Sequence, residues 1–187
     1  MSDKYYKNDL LKILYTEQQI NEGVEKLARQ IEEYYKDKSG TLLAVGILKG
    51  SVVFMGELLK RLNIPCEIDF MKCSSYGSGT TSSGVIAIKC DLSKSDISDC
   101  NILVIEDILD TGNTLKKILQ HLTERGAKSV KLCTLLDKPD RRKVDIEADF
   151  VAFKIPDEFV VGYGLDFDEK YRNMPEIGVL KPEIYQK

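Results

Sequence analysis

With 187 residues, 43% of them hydrophobic and 30% charged, the chain can bury one hydrophobic core and is not composed as a disordered or membrane protein. Its net charge of −3 and the lack of a Lys/Arg block argue against general nucleic-acid affinity, and no apolar run nears the roughly 18 residues that span a bilayer. The N-terminus MSDKYYKND carries no signal-peptide core, so one domain over residues 1–187, working in the cytoplasm, is expected. Cysteines Cys66, Cys73, Cys90, Cys100 and Cys133 are odd in number and form no CxxC pair, which predicts free thiols and no zinc site.

Thr16 with Gln19 three residues on reads as a capping box, and Ile20, Val24, Leu27 and Ile31 recur at helical spacing. Their face should pack on a sheet. The run TLLAVGIL, 41–48, is apolar on both faces between Ser39-Gly40 and Lys49-Gly50, as in a buried parallel strand, and a helix over about 51–62 follows. Further strands are predicted at 66–73, 85–90, 101–106, 129–136 and 149–153, with a helix over 114–125 closed by Gly126. This alternation implies an α/β fold, a central parallel sheet flanked by helices. SSYGSGTTSSG, 74–84, has almost no apolar anchor and reads as a mobile loop, while the tail after 170, with Pro175, Gly178 and Pro182, is expected to cover an edge of the sheet. His121 lies on the face of a helix and is assigned no chemistry.

The most informative stretch is NILVIEDILDTGNT, 101–114. After the apolar residues Ile102 to Ile105, the acids Glu106, Asp107 and Asp110 fall within five positions, where mutual repulsion and desolvation make a purely structural role costly. They should face a ligand or a cation. Thr111, Gly112, Asn113 and Thr114 then offer hydroxyls and backbone N–H groups where a helix begins, a ready anion site at the carboxyl end of a strand. Acids for sugar hydroxyls beside amides for phosphate suit a ribose 5-phosphate. The plainer alternative is a strand-to-helix turn with Asp110 or Thr114 as its N-cap.

VIEDILDTGNT resembles the 5-phosphoribosyl 1-pyrophosphate signature of type I phosphoribosyltransferases, and the likeness over about 40–175 is to the hypoxanthine(-guanine) phosphoribosyltransferases. The resemblance implies their fold, with a small hood built from the terminal segments. It implies that Glu106 and Asp107 hold the ribose hydroxyls, that Thr111, Gly112, Asn113 and Thr114 cradle the 5′-phosphate, and that Asp110 is the general base near N7 of the purine. Asn113 stands where several relatives have Lys. ILKGSVVF, 47–54, is similar to the family's pyrophosphate loop, which implies a cis peptide between Leu48 and Lys49 and pyrophosphate contacts from Lys49 and Gly50. In the loop at 74–84, Ser75 and Tyr76 match the Ser-Tyr pair that closes over the reacting centre and excludes water.

LLDKPDRR, 135–142, resembles the purine-recognition turn, where Lys138 donates to O6; a lysine only donates, so it favours a carbonyl over an amino group. From IPDEFVVGYGLDFDEKYRN, 155–173, the likeness implies Phe159 stacked on the base, Val160 offering it main-chain groups, Asp166 on Mg²⁺ and Arg172 on pyrophosphate. The expected activity is Mg²⁺-dependent transfer of phosphoribose to hypoxanthine and guanine by a homodimer or homotetramer. Two alternatives remain beside it: a regulator of the same fold that senses the phosphoribosyl ligand and binds nucleic acid, and a xanthine- or guanine-preferring relative. The net charge of −3 weighs against the regulator.

Overall fold

The computed structural model describes residues 4–75 and 86–186. A 3₁₀ turn at Lys7–Asp9 leads into β1 (Leu10–Tyr15), and α1 (Glu17–Tyr35) follows at once. Its cap is the predicted box: the Thr16 hydroxyl accepts from the Gln19 amide at 3.3 Å, and the Thr16 amide donates to Gln19 Oε1 at 2.9 Å. Ile20, Val24, Leu27 and Ile31 are buried along one face of α1, joined by Ala28 and Tyr35. The chain continues through β2 (Thr41–Ile47), α2 (Ser51–Leu59), β3 (Glu67–Ser75), β4 (Ile86–Cys90) and β5 (Cys100–Leu109). Then come α3 (Asn113–Glu124), β6 (Ser129–Asp137), β7 (Phe150–Lys154), β8 (Val160–Val161), β9 (Ile177–Leu180) and the single turn α4 (Pro182–Tyr185).

Six strands form the main sheet in the order β4-β3-β2-β5-β6-β7. Residues on β2 and β5 alternate between two cores, as the two-residue strand period requires. Ala44, Leu103 and Ile105 join the cluster under α1 and α2, while Leu43, Val45, Ile102 and Val104 join the one under α3 with Leu115, Ile118 and Leu122. A central strand buried on both faces has no polar side to show, which is why β2 reads as an unbroken apolar run. On α1, Gly23 lets the helix settle on β7, since a Cβ there would lie 2.2 Å from the Phe153 ring.

Two expectations change. The sheet is mixed rather than wholly parallel: β4 runs antiparallel to β3, and the other pairings are parallel. An edge strand reached without a crossover helix returns antiparallel. The tail does not cover an edge of this sheet; it contributes β9 to a separate three-stranded antiparallel sheet, β1-β9-β8. Tyr6, Leu10, Val161, Tyr171, Met174 and Leu180 bury one another beneath it, and this sheet is the expected hood. Strand β1 was not read from the sequence. Leu11 and Ile13 point to solvent, 62% and 43% exposed, so LLKILY shows no apolar-polar alternation.

Because β2, β5, β6 and β7 are parallel, their C-terminal ends at Ile47, Leu109, Asp137 and Lys154 lie along one edge of the sheet. Open α/β sheets bind ligands at that edge.

Candidate active site

Strand β5 runs ten residues, so Glu106 and Asp107 are members of the ladder rather than of a following loop. Asp107 is 8% exposed; its Oδ1 accepts from the Ile108 amide at 2.7 Å, and its Oδ2 lies against Gly50, where a Cβ would come within 1.7 Å. Burial pushes the Asp107 carboxyl up to about 6, opposed in part by the Ile108 amide and the charge of Arg172. Burial and the neighbouring Asp107 raise Glu106 well above the usual carboxylate range. Its Oε2 is buried with no hydrogen-bond partner, and a buried polar atom of that kind calls for a donor from outside the chain.

Asp110 follows the end of β5, with Oδ1 accepting from Arg141 Nε at 3.1 Å. The chain then turns through Gly112, whose φ of +82° suits glycine and whose Cα faces Ile146 so closely that a Cβ would lie 2.5 Å from it. Gly112 is the N-cap of α3 and no side chain bonds the cap, so neither Asp110 nor Thr114 plays that part. Among the described residues no side-chain cap closes the start of α3, whose first amides have no partner within the helix. The Thr111 carbonyl accepts from the Lys143 amide at 3.0 Å, and Asn113 Nδ2 approaches Thr111 Oγ1 at 3.5 Å.

The opposite wall comes from the segments after β6 and β7. Lys138 is 8% exposed, and its Nζ donates to the Glu158 carbonyl at 2.7 Å and stands 3.8 Å from Asp157. Arg142 braces the turn by donating to the carbonyl oxygens of Leu109 and Asp110 and to the Asp137 carboxylate. Phe159 stacks on Tyr185 of α4 with centroids 4.5 Å apart and meets Phe167 edge-on at 5.7 Å. Asp107, Asp110, Lys138, Phe159, Val160 and Asp166 line one crevice of about 560 Å³, together with Ile108 and Leu165.

Beside it lies the turn after β2. The Leu48–Lys49 peptide is cis, as the resemblance implies. Gly164, at φ +103°, rests on this turn, where a Cβ would come 2.1 Å from the Gly50 carbonyl. The Gly164 carbonyl in turn accepts from Arg172 Nη1 at 2.8 Å. Arg172 Nη2 meets Asp166 Oδ1 at 2.8 Å and Glu169 Oε1 at 3.4 Å, and Lys49 Nζ donates to Glu169 Oε2 at 3.0 Å.

The structure thus brings Lys49, Gly50, Asp107, Asp166 and Arg172 into one cluster that borders the crevice, whereas Glu106 on β5 and the Thr111–Thr114 turn into α3 are not part of the crevice lining. Ser75 ends β3, but its side chain is not described, and Tyr76 lies outside the described residues, as does most of the 74–84 loop. Sequence reasoning missed Arg141, Arg142, Asp157, Glu169 and Tyr185. Their signals are weak: a charged pair in a basic turn, exposed acids, and an aromatic one turn from the end. His121 sits on a helix face as expected, its Nε2 2.8 Å from Asp91, and all five cysteines are free.

No group of three or more His, Cys, Asp or Glu among the described residues could cage a metal ion. Magnesium needs no such cage, because it keeps waters and is commonly held by one or two carboxylates plus substrate phosphates. Asp166, half-buried in the crevice lining beside the Arg172 guanidinium, fits that mode of binding. Among the described residues no helix is long and apolar enough to cross a membrane.

Residues 11–168 match the family model described as the phosphoribosyl transferase domain. The hypoxanthine-guanine phosphoribosyltransferase of Streptococcus pneumoniae is 53% identical over 179 residues, covering 96% of this chain and 98% of that protein. The enzyme of that name from Staphylococcus aureus is 53% identical over 178 residues, covering 95% and 98%. A crystal structure of a hypoxanthine phosphoribosyltransferase from Staphylococcus aureus superposes with a TM-score of 0.93 at 50% identity, covering the whole of both chains. A Trypanosoma cruzi hypoxanthine phosphoribosyltransferase in a ternary substrates complex, 37% identical, matches at 0.89 over 95% of this chain and 99% of that one. The mixed sheet, the crevice at its carboxyl edge and these matches agree, and the chain belongs to the hypoxanthine(-guanine) phosphoribosyltransferases of the type I phosphoribosyltransferase fold.

Proposed function

We propose that this chain, acting as one domain, joins hypoxanthine, and guanine, to 5-phosphoribosyl 1-pyrophosphate, giving IMP or GMP and pyrophosphate in purine salvage. The observation that carries the reading is that a carboxylate, Asp110, and a buried ammonium, Lys138, open on the same crevice as an aromatic face, Phe159. A planar base with one proton to lose and one carbonyl to be read needs those three groups.

On this reading Glu106 and Asp107 accept from the ribose hydroxyls, which supplies the donor that the unpartnered Glu106 Oε2 lacks. Amides of the Thr111–Thr114 turn, with its hydroxyls, take the 5′-phosphate. Phe159 stacks on the purine, Val160 offers main-chain groups, and Lys138 donates to O6. Asp110 accepts the purine proton as the ring nitrogen attacks C1′. Lys49, the Gly50 amide and Arg172 hold the pyrophosphate, whose negative charge grows as its bond to C1′ breaks. Mg²⁺, with Asp166 as its protein carboxylate, would neutralise the leaving group. Ser75 and Tyr76 close over the centre and keep water from the cation-like ribose.

The relatives named above are enzymes, which supports catalysis over the nucleic-acid-binding regulator. A cytoplasmic homodimer or homotetramer completes the proposal, and sedimentation would read the assembly. The central test is pyrophosphate release with a panel of free bases in the presence of phosphoribosyl pyrophosphate. Release that depends on hypoxanthine or guanine is expected; base-independent binding without release would overturn the reading.

A further inference from the structure

The two cations assigned above to pyrophosphate share a partner within the chain. Glu169 spreads its carboxylate between them, Oε2 at 3.0 Å from Lys49 Nζ and Oε1 at 3.4 Å from Arg172 Nη2. Its backbone is fixed for this: the Glu169 amide donates to Asp166 Oδ2 at 2.9 Å, and both Asp168 and Glu169 have positive φ, +52° and +61°. Two successive non-glycine residues in the left-handed region are uncommon and cluster at functional sites. The bridge is open to solvent, with the Lys49 and Glu169 side chains 54% and 63% exposed, so an anion can reach the cations and take its place.

We infer that Glu169 is an internal competitor for the pyrophosphate subsite, a carboxylate that occupies Lys49 and Arg172 in the free enzyme and must yield them when pyrophosphate binds. The inference rests on the proposed roles of Lys49 and Arg172. Two physical consequences follow. With the subsite empty, Glu169 keeps the exposed Lys49 beside Arg172, which the Gly164 carbonyl and Asp166 also hold, near the geometry that a doubly charged group needs. With it filled, the carboxylate either loses its partners or stays close to an anion, and both weaken pyrophosphate binding. Glu169 therefore limits affinity for the leaving group and favours its release. The nucleotide product, held at the Thr111–Thr114 turn and the base crevice, is untouched by the exchange.

The experiment measures affinity for inorganic pyrophosphate at saturating Mg²⁺, as a product-inhibition constant and by calorimetry, in the unmodified enzyme, Glu169→Gln and Glu169→Ala. Affinity for IMP is measured in each. Pyrophosphate should bind roughly three- to fivefold tighter in both variants, the scale of one exposed ion pair, with IMP affinity unchanged. Mere structural damage would weaken binding, so the direction itself is diagnostic. Unchanged or weaker pyrophosphate binding would overturn the inference, and so would an equal gain for IMP, which would mark a general effect of net charge. Lys49→Ala measured alongside separates the failures. If it leaves pyrophosphate binding intact, the subsite itself is misassigned; if it weakens binding while Glu169→Gln does not tighten it, only the role of Glu169 falls.

Discussion

Asp107 shares with Glu106 the cost of the site in the unliganded protein. Its carboxyl stands at about 6 in the fold against an ordinary 3.8, chiefly through burial. Between those values the folded chain holds more proton than the unfolded one, so stability falls as pH rises through the window and stays low above it. Two pKa units correspond to about 3 kcal/mol. Asp107→Asn should therefore raise the Tm of the substrate-free protein at pH 7.5 by several degrees and flatten the gain in Tm on acidification from pH 7 to 5. A pH profile identical to that of the unmodified protein would show that Asp107 is not held against its own ionisation. Asp110 differs: half-buried and paired with Arg141, it lines the crevice, where we propose that it accepts the purine proton. Asp110→Asn should retain IMP affinity and lose roughly 10² to 10⁴ in kcat, read by steady-state kinetics. Near-normal turnover in a folded variant would remove it from that role.

At the scale of elements, the site depends on how closely the turn after β2 approaches β5. Gly50 has no side chain because the Asp107 carboxylate occupies the place of one, and Gly164 lies over the same turn for the same steric reason. Gly50→Ala forces one of the two apart. We expect a loss of about 1 to 3 kcal/mol in stability and a higher KM for phosphoribosyl pyrophosphate, measured by denaturant unfolding and kinetics. A variant with unchanged KM would mean that the turn can shift without disturbing the acids proposed to hold the ribose. The extension of β5 to Leu109 has a similar logic: pairing with β6 through Leu136 and Asp137 carries the strand past the acidic pair, so those charges sit on a rigid ladder rather than on a loop.

For the molecule as a whole, the proposed specificity rests on the crossing of two segments twenty residues apart in sequence. Lys138, after β6, is fixed by the Glu158 carbonyl, after β7, and is left facing the crevice. Hypoxanthine and guanine offer it a carbonyl, whereas adenine offers amino hydrogens and leaves the N–H that this buried ammonium turns to the base without an acceptor, although its bond to Glu158 persists. Discrimination against adenine of about 10⁴ to 10⁵ in kcat/KM is expected. Lys138→Met should depress use of hypoxanthine far more than binding of phosphoribosyl pyrophosphate. Comparable use of adenine, or an unchanged hypoxanthine value in the variant, would show that Lys138 does not read O6. Excess chelator should abolish turnover, since the proposed leaving group needs Mg²⁺ to neutralise it and no group of acids among the described residues could cage a metal by itself; full activity in chelator would remove Mg²⁺ from the chemistry.

Local signals were enough for what is local. The capping box at Thr16, the two-faced apolar run of β2, and the adjacency of Glu106, Asp107, Asp110 and the Thr111–Thr114 turn could all be read from neighbouring residues, because one strand and one turn carry them. The resemblance supplied Lys49, Lys138, Phe159, Asp166 and Arg172, which by themselves look like solvated or core residues. The hood was different. β1 pairs with a strand more than 160 residues away, and exposed Leu11 and Ile13 erase the period that would announce it. The antiparallel edge, the contact of Gly50 with Asp107, the brace of Arg141 on Asp110 and the bridge of Glu169 between Lys49 and Arg172 were decided by tertiary structure alone. Each joins segments with no common period or spacing, and only the folded sheet sets the distance between them.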